Sequence, residues 1–392
     1  MDNSSTGSDA ALELAAFWLK RCLSTHELCR PRTISTSEPH LPTRLLDVAA
    51  DAVHLIDTST QPGISDPRYI ALSHCWGKYP IIRTLKKNYE NQLKGIAACS
   101  LSQTFKDAVD VTRKLGFRYL WIDSLCIIQD DKADWQTEAA TMCDVYRNAT
   151  LTIAAAHAAS GDVGCFEQRD GILQFPFVVE IPRLPDAGMS SSSTLQLLFT
   201  AYGRGKGLGG PEPPLYGRAW VLQEQYLSPR MLIFDGTQIR WECLCMHGSE
   251  RTPLGGMSRH IGHQKAIRSG IMEDSEFFEI PEIEDRDFAA LARHQQWCYA
   301  VMDYTHRGMT NSSDRLVAID GIAKALARRT QNEYLVGLWR DHLWIGLLWS
   351  IPHTGEFTTT TMGAFNLDEN HFIRHKEQIA PSWSWVSVTA PV

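Results

Sequence analysis

The 392-residue chain has no stretch approaching the ~18 uninterrupted apolar residues of a membrane-spanning helix. Its N-terminus, MDNSSTGSDAALELAAFWLKRC, lacks a basic region followed by an apolar core and a cleavage site, so it does not read as a signal peptide. Net positive charge is also missing. The 45 acidic against 38 basic residues leave −7 at pH 7, which argues against non-specific nucleic-acid binding. The ten cysteines (22, 29, 75, 99, 126, 143, 165, 243, 245 and 298) form no CxxC pair, and several lie inside apolar runs. That distribution predicts reduced thiols in a cytoplasmic or nuclear protein, not a disulfide framework. There is no internal repeat, and no glycine-rich phosphate turn follows a predicted strand. GRGKGLGGPEPP (203–214) is rich in glycine, but Pro211, Pro213 and Pro214 stand where a helix would have to begin, so it reads as a flexible loop.

An ordinary globular core remains, with 44% apolar residues and twelve tryptophans. Residues 10–22 pattern as an amphipathic helix with Leu12, Ala15, Trp18, Leu19 and Cys22 on one face, and a Pro/Ser/Thr-rich connector runs to Pro42. A strand pair follows at 45–48 and 53–56. Tyr69–Ser73 is a strand, 100–115 a helix opened by a Ser100/Gln103 capping box and closed by Gly116, and 118–122 a strand. Residues 134–147 form a helix and 150–156 a third strand. This alternation predicts an α/β class: a parallel-sheet core with flanking helices over 43–166. Segments 1–42 form an N-terminal helix and connector. Residues 167–392 are expected to form a fused mixed α+β lobe packed on the core.

In an open parallel sheet, ligands bind beyond the carboxyl ends of the strands. Those ends here carry Ser73-His74-Cys75-Trp76-Gly77 and Asp123-Ser124-Leu125-Cys126. The next helix carries a carboxylate on its apolar stripe: Trp135, Glu138, Met142, Val145 and Ala149 share a face. A lone buried charge is costly, so Glu138 either faces a cleft or pairs with an arginine such as Arg118 or Arg147. Catalytic candidates are therefore Glu138, Asp123, His74 and Cys126. Ser73, Trp76, Ser124 and Trp135 are candidates to bind substrate. Each has a plainer reading: a satisfied turn histidine, small buried thiols, an aspartate that caps a turn. Cys22-x3-His26-x2-Cys29 and Cys243-x-Cys245-x-His247 have ligand-like spacing without paired CxxC, so isolated buried thiols and no metal are expected, a structural zinc uniting the two segments being the less favoured reading.

Several long segments resemble the fungal heterokaryon-incompatibility (HET) domain family. They are LPTRLLDV (41–48), YIALSHCWG (69–77), LSQTFKDAVDVTRKLGFRYLWIDSLCIIQDD (101–131), DWQTEAATMCDVYRNATLTIAAAHA (134–158) and GCF (164–166). RAWVLQEQYLSPR (218–230), DRLVAIDGIA (314–323), GLWRDHLWIGLLW (337–349) and APSWSWVSV (380–388) fit the same group. Ser102 stands where the family usually has proline. Family members often continue past PSWSW, so an ending at Val392 fits a short protein or a piece of a longer one. The resemblance implies a role in non-self recognition and programmed cell death, with self-association. Through a distant likeness to TIR domains it implies a flavodoxin-like fold for the core and NAD as a substrate, cleaved at the nicotinamide–ribose bond by Glu138. Asp123, Ser124 and His74 would then position the ribose, and Trp76 or Trp135 would stack on a ring. Two alternatives follow: a non-catalytic self-associating signalling module, and an enzyme tailoring or cyclising a small fungal metabolite. In the last, Trp220, Trp241, Trp339, Trp383 and Trp385 would line an apolar pocket.

Overall fold

The computed structural model describes residues 4–29, 41–60, 64, 66–78, 80–169, 177–182, 194–199, 212–255, 286–351, 374–375 and 377–392. Residues 30–40 of the expected connector and 203–211 of the expected loop lie outside these.

Helix α1 (Asp9–Thr25) starts at Ser8, whose side chain accepts a hydrogen bond from the Ala11 amide, and it buries the whole expected stripe from Leu12 to Cys22. Strands β1 (Arg44–Asp47) and β2 (His54–Asp57) pair antiparallel. Then come β3 (Tyr69–Ser73), α2 (Tyr89–Lys94), α3 (Gln103–Lys114), β4 (Tyr119–Trp121), α4 (Asp123–Cys126), α5 (Lys132–Asn148) and β5 (Leu151–Ala155). Helix α3 begins two residues later than its sequence suggests. Ser102, not Ser100, is its N-cap, and no side-chain bond caps it; instead the Thr104 amide donates to Gly161 O at 2.9 Å. Gly116, at φ +80°, ends it in a Schellman motif, with Gly116 N–H on Arg113 O and Phe117 N–H on Thr112 O. The helix turns Phe105, Ala108, Val109 and Val111 into the core, where each large apolar side chain contributes roughly 1.5–3 kcal/mol.

The remaining elements are the antiparallel pair β6 (Phe177–Pro182) and β7 (Thr194–Phe199), helix α6 (Ala219–Leu227), and strands β8 (Arg230–Phe234), β9 (Ile239–Cys243) and β10 (His247–Ser249). Helices α7 (Arg286–Thr305) and α8 (Val317–Thr330) follow, then a short ladder of β11 (Tyr334–Leu335) and β12 (Leu338–Trp339). One eight-stranded sheet runs β10-β9-β8-β5-β3-β4-β1-β2. Its centre, β4-β3-β5-β8, is parallel, and antiparallel hairpins extend it on both sides. The sheet thus crosses residue 166, and strands β8–β10 from the expected second lobe complete it. Chain order reverses about β3: β4 lies on one side of it and β5 on the other. Two tyrosines lash α5 to β3, Tyr69 donating to Val145 O at 2.6 Å and Tyr146 to Leu72 O at 3.1 Å. Among the described residues no helix is long and apolar enough to cross a membrane.

The tryptophans are mostly structural. Trp241 packs on Trp18, Trp339 on Trp297 and Tyr334, and Trp385 on Tyr304, all within the core, while Trp383 is exposed. Trp241, Trp339 and Trp385 therefore do not offer the apolar lining that the metabolite reading requires.

Candidate functional site

Strands β3 and β4 are parallel neighbours, so their carboxyl ends lie side by side and the residues that follow them meet. His74 follows β3, is wholly buried and sets its ring edge-on against Phe105 at 5.0 Å. Its Nδ1 lies 3.8 Å from Asp123 Oδ1, across the gap to the end of β4. Trp76 Nε1 donates to Asp123 Oδ2 at 2.8 Å, and the Ser124 amide donates to Oδ1 at 2.6 Å. Gly77 makes this turn possible: it has φ +75°, and a Cβ there would collide with Ser160. His74 Nε2 and Ser124 Oγ are buried polar atoms with no hydrogen-bond partner among the described residues. Such atoms are uncommon in folded proteins and mark a strained or ligand-facing spot.

Two residues that the strand-end reasoning did not reach complete this rim. Arg218, at the start of α6, donates through Nη1 to the His74 carbonyl. Glu224, six residues further, is buried, and that burial lifts its carboxyl to about 7. Arg218 opposes the shift, Ser73 and Tyr146 also favour the charged form, and Asp123 adds to the rise. The Ser73 hydroxyl is near enough to act on Glu224, although no fully formed hydrogen bond joins them. His74 moves the other way, pushed down to about 4 by burial, with Asp123 opposing and Arg218 reinforcing. At neutral pH the rim therefore holds a neutral imidazole beside a carboxyl close to its midpoint. A signal for Glu224 was present in the sequence: Gln223, Glu224 and Gln225 interrupt a helix in which every residue but Trp220 is buried. Polar side chains in such a helix need internal partners.

Glu138 lies at a second centre. It is buried on α5, and Arg44, at the start of β1, reaches its Oε1 at 3.4 Å. The expected partners are otherwise placed: Arg118 pairs with Asp47 on the surface. Arg44 binds Asp134 more closely, with Nη2 2.7 Å from both carboxylate oxygens, and its Nε donates to Cys126 O at 2.6 Å. Burial works against the Arg44 charge, but Asp134 and then Glu138 outweigh it and raise its pKa. A surface groove on the β2 edge, lined by His54, Asp57, Thr60, Tyr89 and Glu90, borders this centre. Burial raises the Tyr89 phenol, and Arg44 is close enough to oppose it.

Cys126 lies between the two centres, within electrostatic reach of Arg44, Glu138 and Asp123. Its thiol is fully buried and pushed up to about 12 by that burial, so it carries almost no thiolate at neutral pH. No hydrogen bond joins it to the His74 ring, and the nucleophile expected at Cys126 finds no support in its surroundings. Trp135 is half-buried against the core. Far from the rim, the two Cys/His segments meet: ligand atoms of Cys22, His26, Cys29 and Cys243 all lie within 4.8 Å of one another.

Residues 69–224, which span both centres except Arg44, match the family described as heterokaryon incompatibility protein (HET). The chain is 28% identical over 128 residues to heterokaryon incompatibility protein 6, OR allele, of Neurospora crassa; the match covers 30% of this chain and 19% of that protein. The chain thus spans about a fifth of the relative's length. No solved structure matches it. Residues 69–224, which carry both carboxylate centres apart from Arg44, are thus similar to a HET domain.

Proposed function

We infer that the chain acts in fungal heterokaryon incompatibility, the process named in its Neurospora crassa relative, and that it does so by cleaving the nicotinamide–ribose bond of NAD at the β3/β4 rim. The observation that carries this reading is the pair of unpartnered buried atoms, His74 Nε2 and Ser124 Oγ, beside Asp123 and Glu224. They offer hydrogen bonds suited to ribose hydroxyls. The parallel order β4-β3-β5-β8 supports the flavodoxin-like, TIR-like resemblance, because it is the arrangement in which ligands sit at the strand ends. The chemistry makes modest demands. Nicotinamide departs as a neutral base and needs no proton, so one carboxylate must stabilise the oxocarbenium-like ribose and one base must take a proton from water. We assign the first role to Glu138, whose centre adjoins the rim through Cys126, a neighbour of both Glu138 and Asp123, and the second to Glu224.

The test is nicotinamide release from NAD by purified protein. Glu138→Gln is expected to lower turnover at least a hundredfold, while Asp134→Asn keeps it within about tenfold. If Glu138 serves only as a structural partner of Arg44, Asp134→Asn is the more damaging change, because Asp134 makes the closer contact. Absence of turnover in wild type at high protein concentration sinks the enzymatic reading.

A non-catalytic, self-associating signalling module is the second reading. It is favoured by an exposed apolar strip after β12, where Trp344 is 70% and Leu348 74% accessible. Sedimentation of wild type and Leu348→Glu tests it: a concentration-dependent oligomer lost in the variant supports it, and a monomer at all concentrations rejects it.

A further inference from the structure

Cys22 lies in the last turn of α1, and His26 follows four residues later as its C-cap, so both face the same way. A short 3₁₀ turn, Glu27–Cys29, returns the chain and brings Cys29 beside them. Cys243 arrives at the end of β9, 217 positions from His26 in sequence, with its Sγ 3.4 Å from His26 Nδ1. All four ligand atoms lie within 4.8 Å of one another, the three sulfurs are buried, and none is in a disulfide. A tetrahedral zinc ion with ordinary Zn–S and Zn–N bonds sets its ligand atoms about 3.6–3.8 Å apart. Contraction by about 1 Å at the widest pair therefore closes a first shell.

The surroundings are those of thiolates. Arg230, at the start of β8, is buried and donates through Nε to Cys22 Sγ at 3.1 Å; its other bonds go to the carbonyls of Cys29 and Thr150. Among the described residues no carboxylate pairs with it. A guanidinium buried without a carboxylate needs another anion. The Met246 amide donates to Cys243 Sγ at 3.3 Å, a backbone bond that orients and steadies a thiolate. Charge closes as well. Three thiolates and one zinc(II) carry a net −1, which the single positive charge of Arg230 balances.

We propose that Cys22, His26, Cys29 and Cys243 bind one structural zinc ion that pins the N-terminal helix to the far edge of the sheet. Zinc displaces the three thiol protons to solvent, and no electrons are transferred. Four protein ligands leave no open position, so the ion holds structure and takes no part in turnover. Its position explains the linkage around it: Trp18, one turn before Cys22, packs on Trp241 of β9 and donates to Pro253 O at 2.6 Å. Cys245, with its Sγ 3.7 Å from Cys29 Sγ, borders the site without joining it.

The test is elemental analysis of the full chain purified from zinc-replete, reducing medium. About one zinc per chain is expected, retained in Cys99→Ser and lost in Cys29→Ser/Cys243→Ser. Because a variant that fails to fold also loses metal, wild type stripped with a chelator is titrated with cobalt(II). Visible bands of tetrahedral cobalt and a thiolate-to-cobalt charge-transfer band are expected, displaced by zinc. Zinc well below stoichiometry in wild type together with no such bands overturns the proposal. So does recovery of Cys22 or Cys29 in a disulfide under non-reducing alkylation.

Discussion

Two arginines are buried at nearly the same depth in this sheet, Arg44 at the start of β1 and Arg230 at the start of β8, yet they are neutralised in different ways. Arg44 meets two carboxylates from one helix, Asp134 and Glu138, three and seven positions past the Asp131 N-cap of α5. Arg230 meets two carbonyls and a sulfur. The first centre draws the anions that face its arginine from carboxylate side chains. The second is electrically complete only if its thiols ionise, and closely packed thiols ionise together only around a cation. Similar burial thus leads to an ion-pair cluster in one half of the sheet and to a metal-ligand set in the other.

The largest expected effect comes from breaking the first centre. Arg44→Met removes the cation that Asp134 and Glu138 share and should cost about 3–5 kcal/mol in denaturant unfolding. Adding Asp134→Asn and Glu138→Gln to it should restore part of the loss. A full recovery from Asp134→Asn alone would show that Glu138 is not part of the cluster.

Next is pH. The Glu224 carboxyl is raised in the folded state to about 7, so the unfolded chain gives up this proton first as pH rises. Its contribution is therefore favourable at low pH and is lost between about pH 4.5 and 7. His74 is depressed to about 4, so the unfolded chain takes up this proton first as pH falls, and stability is lost from about pH 6.5 down to 4. Each amounts to a few kcal/mol over its window. The two slopes oppose each other where the windows overlap, between about pH 4.5 and 6.5. Glu224→Gln should make the protein lose stability on acidification there, and His74→Asn should make it gain. Parallel curves for both variants would disprove the paired shifts.

Arg230→Met sharpens the comparison on the other side. It removes the countercharge of the thiolate set and should weaken zinc binding about 10–100-fold in competition with a chromophoric chelator, while a zinc-free Arg44 centre is indifferent to the metal. The smallest effect is expected at Arg118. Its ion pair with Asp47 is largely exposed, and Arg118→Ala should cost under about 1 kcal/mol, less still at high salt.

Much of this arrangement was legible in the chain. The stripe of α1, the β1/β2 pair, and the alternation from Tyr69 to Ala155 follow from periodicity, which depends only on local geometry. Strand ends could be read too: they bring His74, Asp123 and Ser124 to one rim, but the same reasoning puts Cys75, Cys126 and Glu138 there as well, whereas Glu138 pairs with Arg44 at a second centre. The burial of Glu138 also followed from its place in an apolar stripe. Its partner did not. Arg44 lies 94 positions away, and nothing in local spacing distinguishes it from Arg118 or Arg147. The cap of α3 was misplaced by two residues because the Gly161 carbonyl, from a distant loop, takes the amide that a capping side chain would have taken.

Sequence by itself determined which segments are helix or strand, which faces are apolar, and which reactive residues stand where strands stop. Periodicity and turn chemistry act over a few residues and leave their mark in order along the chain. Tertiary structure alone decided that β8–β10 join the sheet beyond residue 166, that Arg218 and Glu224 close the rim, and that Cys243 meets Cys22, His26 and Cys29. Those outcomes depend on strand order and on where buried charges find their counterparts. Both are set by the packing of segments far apart in the chain, and no local pattern encodes them.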